Sequence, residues 1–365
     1  MGRRIMIATG GTGGHIFPAI ALAQQLSVED PSCEVVFVGG GLSENRYFDR
    51  GSYESYTVSC GSFVSRDPSK VALAVGKIAR GIWQSRVIIK KFNPSVVVGF
   101  GSFYTFPPLV AARLLSVPIV LHESNSIPGK TTRLMSRWAA LTGVQFPETV
   151  HLLNGNVLEV GMPLRAGFQQ GSATKEAARS YFGLDMDWMV ILVFGGSQGS
   201  KAINEALLQT FCAIKHLPFQ IIHIVGDTTL VRKVSHYYAT HGIKASVKAF
   251  ESRMDLAWQA ADCVISRAGA GTIAELIEFE VPALLIPYPQ AAEDHQTHNA
   301  NFIAATVGGG MKLAEKEVTV ERLSSTLSAF LCQQNEILAG MRRAIRLYKS
   351  RARMKNLVTI VKEFD

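Results

Sequence analysis

One unit is written twice in this chain, and it constrains the fold more than any other feature. The apolar run Ile5–Thr9 enters Gly10-Gly11-Thr12-Gly13-Gly14-His15 and then a helical stretch, Pro18–Ser27. From position 190 the pattern repeats: Val190–Phe194 enters Gly195-Gly196-Ser197-Gln198-Gly199-Ser200 and then Lys201–Phe211. Six further runs, Val35–Val38, Val96–Val98, Ile119–Leu121, Ile221–Val225, Val264–Ser266 and Ala283–Ile286, are short and rich in β-branched residues. Strands without polar alternation belong to a parallel sheet that helices cover on both faces. The chain is therefore α/β and doubly wound. Two strand–loop–helix openings predict two Rossmann-like domains facing a cleft. Ligands bind such sheets at the carboxyl ends of the strands, where the glycine loops sit. The break is expected near Gly161-Met162-Pro163-Leu164-Arg165. That gives domains over 1–163 and 164–340 and a basic terminal helix over 341–365.

Length agrees, since 365 residues exceed a single ordinary domain of roughly 150. A chain 47% hydrophobic and 18% charged can bury real cores, which excludes a mostly disordered protein. The formal charge of +8 is local: from Arg342 onward eight basic residues meet two acids. What precedes them is nearly balanced, which argues against a nucleic-acid surface. Five cysteines, Cys33, Cys60, Cys212, Cys263 and Cys332, show no CxxC spacing and read as reduced thiols of a cytoplasmic protein. The N-terminus passes into a strand without an apolar leader. Residues 92–112 carry no charge over 21 positions, enough to span a bilayer by length. Pro94, Gly99, Gly101, Pro107 and Pro108 break them into a strand, a loop and a helix start.

A glycine loop that opens a helix presents unpaired backbone N–H groups and the positive end of the helix dipole, which suits phosphate. Without a ligand it is simply a tight turn. A dinucleotide is disfavoured: Gly11-Thr12-Gly13 completes half of GxGxxG, but Ile16 stands at its last glycine. Val35–Val38 also ends in glycines rather than a ribose-binding acid. Ser124-Asn125-Ser126-Ile127-Pro128-Gly129-Lys130-Thr131 imitates a P-loop. Yet Ser124 replaces its first glycine, and Pro128 removes an N–H that the cradle needs. A third segment, Ser266-Arg267-Ala268-Gly269-Ala270-Gly271-Thr272-Ile273-Ala274-Glu275, leads through small residues into a helix expected over Ile273–Phe279. Glu275, read in its first turn, can accept two hydroxyl hydrogens from a ribose diol, or serve only as an acid favoured by the dipole. His295 and His298 stand at i, i+3 with no obvious third metal ligand. No DxD motif in a plausible place offers a divalent ion a site, so neither metal nor cofactor is expected.

Taken in order, these segments resemble the MurG family. Its members are glycosyltransferases that add N-acetylglucosamine from UDP-GlcNAc to the undecaprenyl-diphospho-muramoyl-pentapeptide lipid of peptidoglycan synthesis. The resemblance spans nearly the whole chain. It rests on Gly10–His15 with Phe17-Pro18, on Gly99–Phe103 through Pro107-Pro108, and on His122-Glu123-Ser124-Asn125. It continues through Gly161–Arg165, Gly195–Gly199, Ser266–Glu275, and His295-Gln296 with Asn299. It implies a GT-B type fold whose last helix returns to the N-terminal domain. It also implies an inverting transfer from lipid I to lipid II, by a peripheral enzyme at the cytoplasmic face of the inner membrane. Thr12, Gly13 and Gly14 match the family's N-terminal glycine loop, and Asn125 and Arg165 its polar contacts to the nucleotide sugar. Ser197 matches a diphosphate contact and Gln296 a contact to the sugar. Ala270, Gly271, Thr272, Ile273, Ala274 and Glu275 match the helix start under the nucleotide, with Glu275 on the ribose. Phe250-Glu251 matches the uracil-facing segment. Met162, Ser124 and Glu251 depart from the pattern, standing where Asn, Gln and a small apolar residue are usual. A uracil contact at Glu251 would then run through the backbone.

Displacing UDP from an anomeric carbon needs a base for the acceptor hydroxyl, charge relief for the diphosphate, and exclusion of water. His15 is the candidate base, with a structural imidazole as the alternative. Helix-start amides, Ser197, and Arg165 or Arg267 can offset the diphosphate charge. Residues 70–92 read as an amphipathic helix with Val71, Val75, Ile78, Ile82 and Ile89 as its core stripe. Lys70, Lys77, Arg80 and Lys91, beside Leu73, Trp83 and Val87, form a face for an anionic membrane, or else a solvated one. The expected partners are UDP-GlcNAc, the lipid acceptor and that membrane surface. Two other readings stay open. One is another sugar-nucleotide enzyme of the same fold, either a lipid glycosyltransferase with a different acceptor or a UDP-GlcNAc 2-epimerase. The other is a non-catalytic nucleotide-sugar binding protein.

Overall fold

The structure, a computed structural model, describes residues 2–62, 67–196, 199–332, 336–352 and 354–364. It divides the chain into two compact units, Met1–Ala166 with Arg353–Asp365, and Gly167–Ala352. The first unit carries β1 (Arg4–Ala8), β2 (Glu34–Gly39), β3 (Ser55–Thr57), β4 (Val96–Gly99), β5 (Ile119–Glu123), β6 (Leu141–Val144) and β7 (Val157–Glu159). They form one parallel sheet in the order β3-β2-β1-β4-β5-β6-β7. The second unit carries β8 (Met189–Phe194), β9 (Phe219–Ile224), β10 (Ala245–Lys248), β11 (Cys263–Ser266), β12 (Ala283–Leu285) and β13 (Gly310–Lys312). Their order is β10-β9-β8-β11-β12-β13, again parallel throughout. The winding is thus the same in both units: the first strand lies beside the fourth, and there it reverses direction. Ile7 of β1 faces Phe37 and Val98, and Ile191 of β8 faces Ile221 and Cys263. Each of the eight apolar runs forms a strand, and β8 and β9 are buried along their whole length.

Full burial of β9 includes Gln220 and His223, so both must find partners inside. Gln220 bonds the carbonyls of Asp185 and Trp188 and accepts from the Asp185 N–H. His223 donates from Nε2 to Asn204 Oδ1 at 3.1 Å and accepts the Tyr238 hydroxyl at Nδ1 at 2.8 Å. Burial drives its pKa down to about 3, so the ring is neutral.

In the first unit α1 (Gly13–Glu29) follows β1, α2 (Pro68–Phe92) and α3 (Phe106–Leu114) flank β4, and α4 (Lys130–Met135) follows β5. In the second, α5 (Lys175–Tyr181) precedes β8, and α6 (Lys201–Ala213), α7 (Thr228–Thr240), α8 (Met254–Ala260), α9 (Ala270–Phe279) and α10 (His295–Asn301) connect the strands. α11 (Val320–Cys332) and α12 (Ile337–Arg351) complete it. Residues 92–112 resolve into the end of α2, β4 and most of α3. Among the described residues no helix is long and apolar enough to cross a membrane.

Two expectations change. The basic helix assigned to the N-terminal unit belongs instead to the C-terminal one, because its cations are bound there. Arg342 donates to the carbonyls of Glu280 and Asp262, Arg346 pairs with Glu280, and Lys349 pairs with Glu278. The segment that joins the N-terminal unit is α13 (Leu357–Val361), whose Leu357, Val358, Ile360 and Val361 are buried in that unit's core. Lys362 fixes it further by pairing with Glu29 of α1. The second change concerns α2. Its buried stripe is Ala74, Gly81, Ser85 and Ile89, whereas Val75 is exposed. Small residues let α2 lie close: a Cβ on Gly81 would stand 1.9 Å from the Ser59 carbonyl oxygen. Several large residues are left outside. Leu73, Val75, Trp83 and Val87 are each at least half exposed, with Lys70, Lys77 and Arg80 exposed among them.

Candidate functional site

In each unit the strand reversal brings two loops together, one after the first strand and one after the fourth. In the N-terminal unit these are Thr9–Thr12 and Phe100–Ser102. Gly10 is there by necessity, since a Cβ would come within 2.7 Å of both the Gly40 carbonyl and Tyr104. The helix begins earlier than the sequence suggested. Thr12 is the N-cap of α1, so Gly13, Gly14 and His15 form its first turn rather than the loop. His15 then reaches across the reversal, its Nδ1 lying 2.8 Å from the Phe100 carbonyl. A carbonyl only accepts, so the neutral ring carries its proton on Nδ1 and its lone pair on Nε2. That is the protonation state of a base.

Arg165 belongs to this same unit. Its segment is tied to α1 by Gln25 donating to the Leu164 carbonyl and Gln24 accepting from Ala166 N–H. Its guanidinium stands over the Phe17 ring, 5.6 Å from the centroid. Asn125 lies in the P-loop-like segment, whose amides turn inward. Glu123, itself buried, accepts the N–H of Asn125 and of Gly129 at 3.1 Å each. A carboxylate thus occupies the place a phosphate would take, and the loop is no nucleotide cradle. His122, fully buried beside it, has its pKa pressed down to about 4 by desolvation.

In the C-terminal unit the paired loops are Gly195–Ser200 and Arg267–Gly269. A Cβ on Gly195 would collide with the Ser200 N–H at 2.2 Å. Ser200 caps α6 by accepting from Ile203 N–H. Ser197 lies outside the described residues. Arg267, one of the two arginines considered for the diphosphate, is only 7% exposed, and both its terminal nitrogens are engaged. It bonds the carbonyls of Ile286 and Pro287 and the Ser200 hydroxyl, and pairs with Glu315. Arg267 is a rivet between loops, not a spare charge.

Ala270–Glu275 opens α9, with Gly269 as N-cap, so the helix starts three residues before Ile273. Glu275 is the sixth residue of that helix. It lies beyond the first turn, where dipole stabilisation has faded. Its carboxylate instead accepts the indole N–H of buried Trp258 at 2.8 Å. A Cβ on Gly271 would meet nothing within 4 Å, so no internal packing demands glycine there. Asn299 of α10 braces the loop by donating to the Ala268 carbonyl at 3.0 Å. Gln296, one turn earlier, accepts from Tyr288 N–H through Oε1 at 3.0 Å, which directs its amide donors away from that strand end. The turn before α10 holds two consecutive non-glycine residues in the left-handed region, Glu293 (φ 52°) and Asp294 (φ 53°). Such strain collects at functional sites. His295 Nδ1 donates to the Ala292 carbonyl at 2.7 Å. Among the described residues no group of three His, Cys, Asp or Glu side chains could share a metal ion.

Glu251 is buried and engaged by Lys248, the Arg253 N–H and the Tyr181 hydroxyl. Its carboxylate is held inside the unit, while neighbouring Phe250 is exposed. Four participants escaped the sequence reading: the Phe100 carbonyl, Tyr104, Trp258 and Tyr288. A backbone carbonyl has no sequence signature, and the aromatic positions carry no local motif.

Residues 5–144 match the N-terminal domain of glycosyltransferase family 28, and residues 190–357 match its C-terminal domain. The UDP-N-acetylglucosamine--N-acetylmuramyl-(pentapeptide) pyrophosphoryl-undecaprenol N-acetylglucosamine transferase of Protochlamydia amoebophila is 48% identical over 362 residues. The alignment covers 99% of this chain and 96% of that one. The enzyme of the same name from Syntrophotalea carbinolica is 36% identical, with 90% of each chain covered. Among solved structures, Acinetobacter baumannii MurG superposes with a TM-score of 0.77 at 28% identity over 99% of both chains. A UDP-glucose:anthocyanidin 3-O-glucosyltransferase in complex with UDP, 13% identical, reaches 0.70 over 100% of this chain and 99% of that one, a likeness of fold alone.

Proposed function

The chain belongs to glycosyltransferase family 28, of the GT-B fold type, and from that premise we propose that it transfers N-acetylglucosamine from UDP-GlcNAc to the undecaprenyl-diphospho-muramoyl-pentapeptide lipid of peptidoglycan synthesis. The observation that carries the catalytic assignment is the His15–Phe100 bond. It holds the imidazole in one orientation with the lone pair on Nε2, ready to take the acceptor hydroxyl's proton. The acceptor oxygen then attacks the anomeric carbon. The bond from that carbon to the diphosphate oxygen breaks, and UDP leaves with the bonding pair, inverting the configuration.

The donor is held by residues of the C-terminal unit. The α9 N-terminus, with Gly195, Gly196, Gly199 and Ser200, offers backbone amides to the diphosphate, whose developing charge they stabilise without reorganising. Gly271, with open space where a side chain would be, lets the nucleotide approach the helix start. Glu275 accepts the ribose hydroxyls, and Gln296 donates to the sugar. Thr12, Gly13, Gly14, Asn125 and Arg165 are the substrate-binding residues of the N-terminal unit. The exposed face of α2, with Leu73, Trp83 and Val87 among Lys70, Lys77 and Arg80, binds the anionic inner-membrane surface where the lipid acceptor resides. The enzyme then works peripherally, at the cytoplasmic side.

The test is UDP release from UDP-GlcNAc with and without the undecaprenyl-linked acceptor. Acceptor-dependent release, with N-acetylglucosamine joined to the lipid, is the expected result. Release without lipid accompanied by a 2-epimeric sugar would replace the transferase with an epimerase. Tight UDP binding without any turnover would leave a binding protein.

A further inference from the structure

Trp258 sits in α8 with no solvent exposure, and its indole N–H meets the Glu275 carboxylate. Indole donates and never accepts, so the direction of this bond is fixed, and the ionised acceptor makes it a strong one. The ring cannot drift. Phe194 contacts it edge-on at 5.7 Å between centroids, and Phe279 stacks on it at 6.3 Å. Phe279 is held in turn by Phe168, edge-on at 5.5 Å. Phe194 is the last residue of β8, directly before the Gly195 loop. One aromatic stack therefore connects the strand beneath the second glycine loop to the carboxylate on α9.

A glutamate side chain has three rotatable bonds, and ordering it at the moment of binding would cost affinity. Here the order exists beforehand. We infer that Trp258 is a positioning residue that sets the preference for ribose over 2′-deoxyribose in the donor, by fixing the plane in which Glu275 accepts the diol. The inference rests on the ribose role of Glu275 proposed above. A site built to bond a hydroxyl rejects the analogue lacking it, because its own polar group is then left unmet. That rejection needs a carboxylate that cannot swing to another partner. A carboxylate that has lost the Trp258 bond is held less firmly in that plane, and its discrimination falls.

The test compares binding of UDP and 2′-deoxy-UDP by calorimetry on the full chain. The proteins are wild type, Glu275→Gln, Trp258→Phe, and a chain with benzothienylalanine at position 258, an isostere with sulfur in place of the N–H. Wild type should prefer UDP by about ten- to a hundredfold, the range for a hydrogen bond to a charged group. Trp258→Phe and the isostere should bring the ratio to about threefold or less, with 2′-deoxy-UDP affinity changed by no more than about twofold. The isostere keeps the ring contacts, so the measurement decides even where Trp258→Phe folds poorly. Equal weakening of both nucleotides in the isostere would make Trp258 a packing residue and overturn the inference. A ratio lost in Glu275→Gln but kept in the isostere would remove Trp258 alone. No preference in wild type, or a ratio intact in Glu275→Gln, would remove the ribose role itself, and the inference with it.

Discussion

His15 can be separated into base and scaffold by two substitutions, because one of them keeps the bond to the Phe100 carbonyl. The ring bonds the Phe100 carbonyl at 2.8 Å and is part-buried in the first turn of α1. Such a bond contributes about 0.5–1.5 kcal/mol net. His15→Ala should therefore destabilise the N-terminal unit by about 1 kcal/mol, a drop of roughly 2–4 °C in melting temperature for a unit of this size. Loss of a general base costs about 10²–10⁴-fold in kcat, equivalent to roughly 3–5 kcal/mol of barrier. One lost scaffold bond cannot account for a rate effect that large. His15→Asn sharpens the comparison. The asparagine Nδ2 takes the place of the imidazole Nδ1 and can donate to Phe100, yet the side chain has no basic nitrogen. Its melting temperature and UDP affinity should stay near wild type while kcat remains at least about a hundredfold down. The assay is turnover at saturating lipid acceptor, with UDP calorimetry and a melting curve on the same preparation. Turnover within about tenfold of wild type in His15→Asn would refute the base. So would a loss of turnover, UDP affinity and stability all in step.

Three other outcomes are expected. Arg267→Met removes the rivet joining Ser200, the Ile286 and Pro287 carbonyls and Glu315, and should cost about 3 kcal/mol in urea unfolding, the low end for breaking a buried pair because Glu315 is partly exposed. A loss below about 1 kcal/mol would show the pair to be idle. Acid should destabilise both units well above the carboxylate range: His122 and His223 stay neutral when folded, with pKa values lowered to about 4 and about 3, while the unfolded chain protonates them near 6.5. The unfolded state then binds more protons, so stability falls as pH drops, by about 2 kcal/mol per imidazole between pH 6.5 and pH 5, and a denaturation midpoint constant over that interval would contradict it. Leu73→Ser combined with Trp83→Ser should lower binding to anionic phospholipid vesicles by more than about tenfold, since each side chain buried in a bilayer contributes about 1.5–3 kcal/mol. UDP affinity should not change, and undiminished vesicle binding would leave the α2 face solvated.

The strands that the sequence concealed share a position. β3, β7, β10 and β13 are the four edges of the two sheets, and β6 lies next to one of them. An edge strand needs no continuous apolar run, and these show it: Ser55–Thr57, Val157–Glu159, Ala245–Lys248 and Gly310–Lys312 are short, mixed and mostly half-buried or exposed. The other interior strands were legible because burial on both faces leaves polar residues little room, whereas β6, though buried, is interrupted by Thr142 and Gly143. The site divides along a similar line. Glycine loops, His15 and Glu275 are local features with local signatures. Arg165 and Arg267, by contrast, look interchangeable as sequence. Only burial separates them, because Arg267 meets Ser200, Ile286, Pro287 and Glu315, which lie in three other segments of the chain.

The duplicated topology also shows how one architecture divides its labour. In both units the loops after the first and fourth strands are tied by a single side chain across the strand reversal. In the N-terminal unit the tie runs from His15 to Phe100, and in the C-terminal unit from Arg267 to Ser200. Imidazole exchanges a proton near neutral pH, whereas guanidinium stays charged under all working conditions. The bond at Nδ1 fixes the orientation of the His15 ring. Arg267 has its donors spread over two carbonyls, a hydroxyl and a carboxylate, so the loop pair in the C-terminal unit cannot change charge or loosen without breaking several bonds together. A proton-transfer step needs the first kind of tie. A preorganised amide cradle for a diphosphate needs the second, since electrostatic stabilisation is strongest where the dipoles do not reorient. The two ties thus accord with the proposed division of labour, with the base in one unit and the donor site in the other.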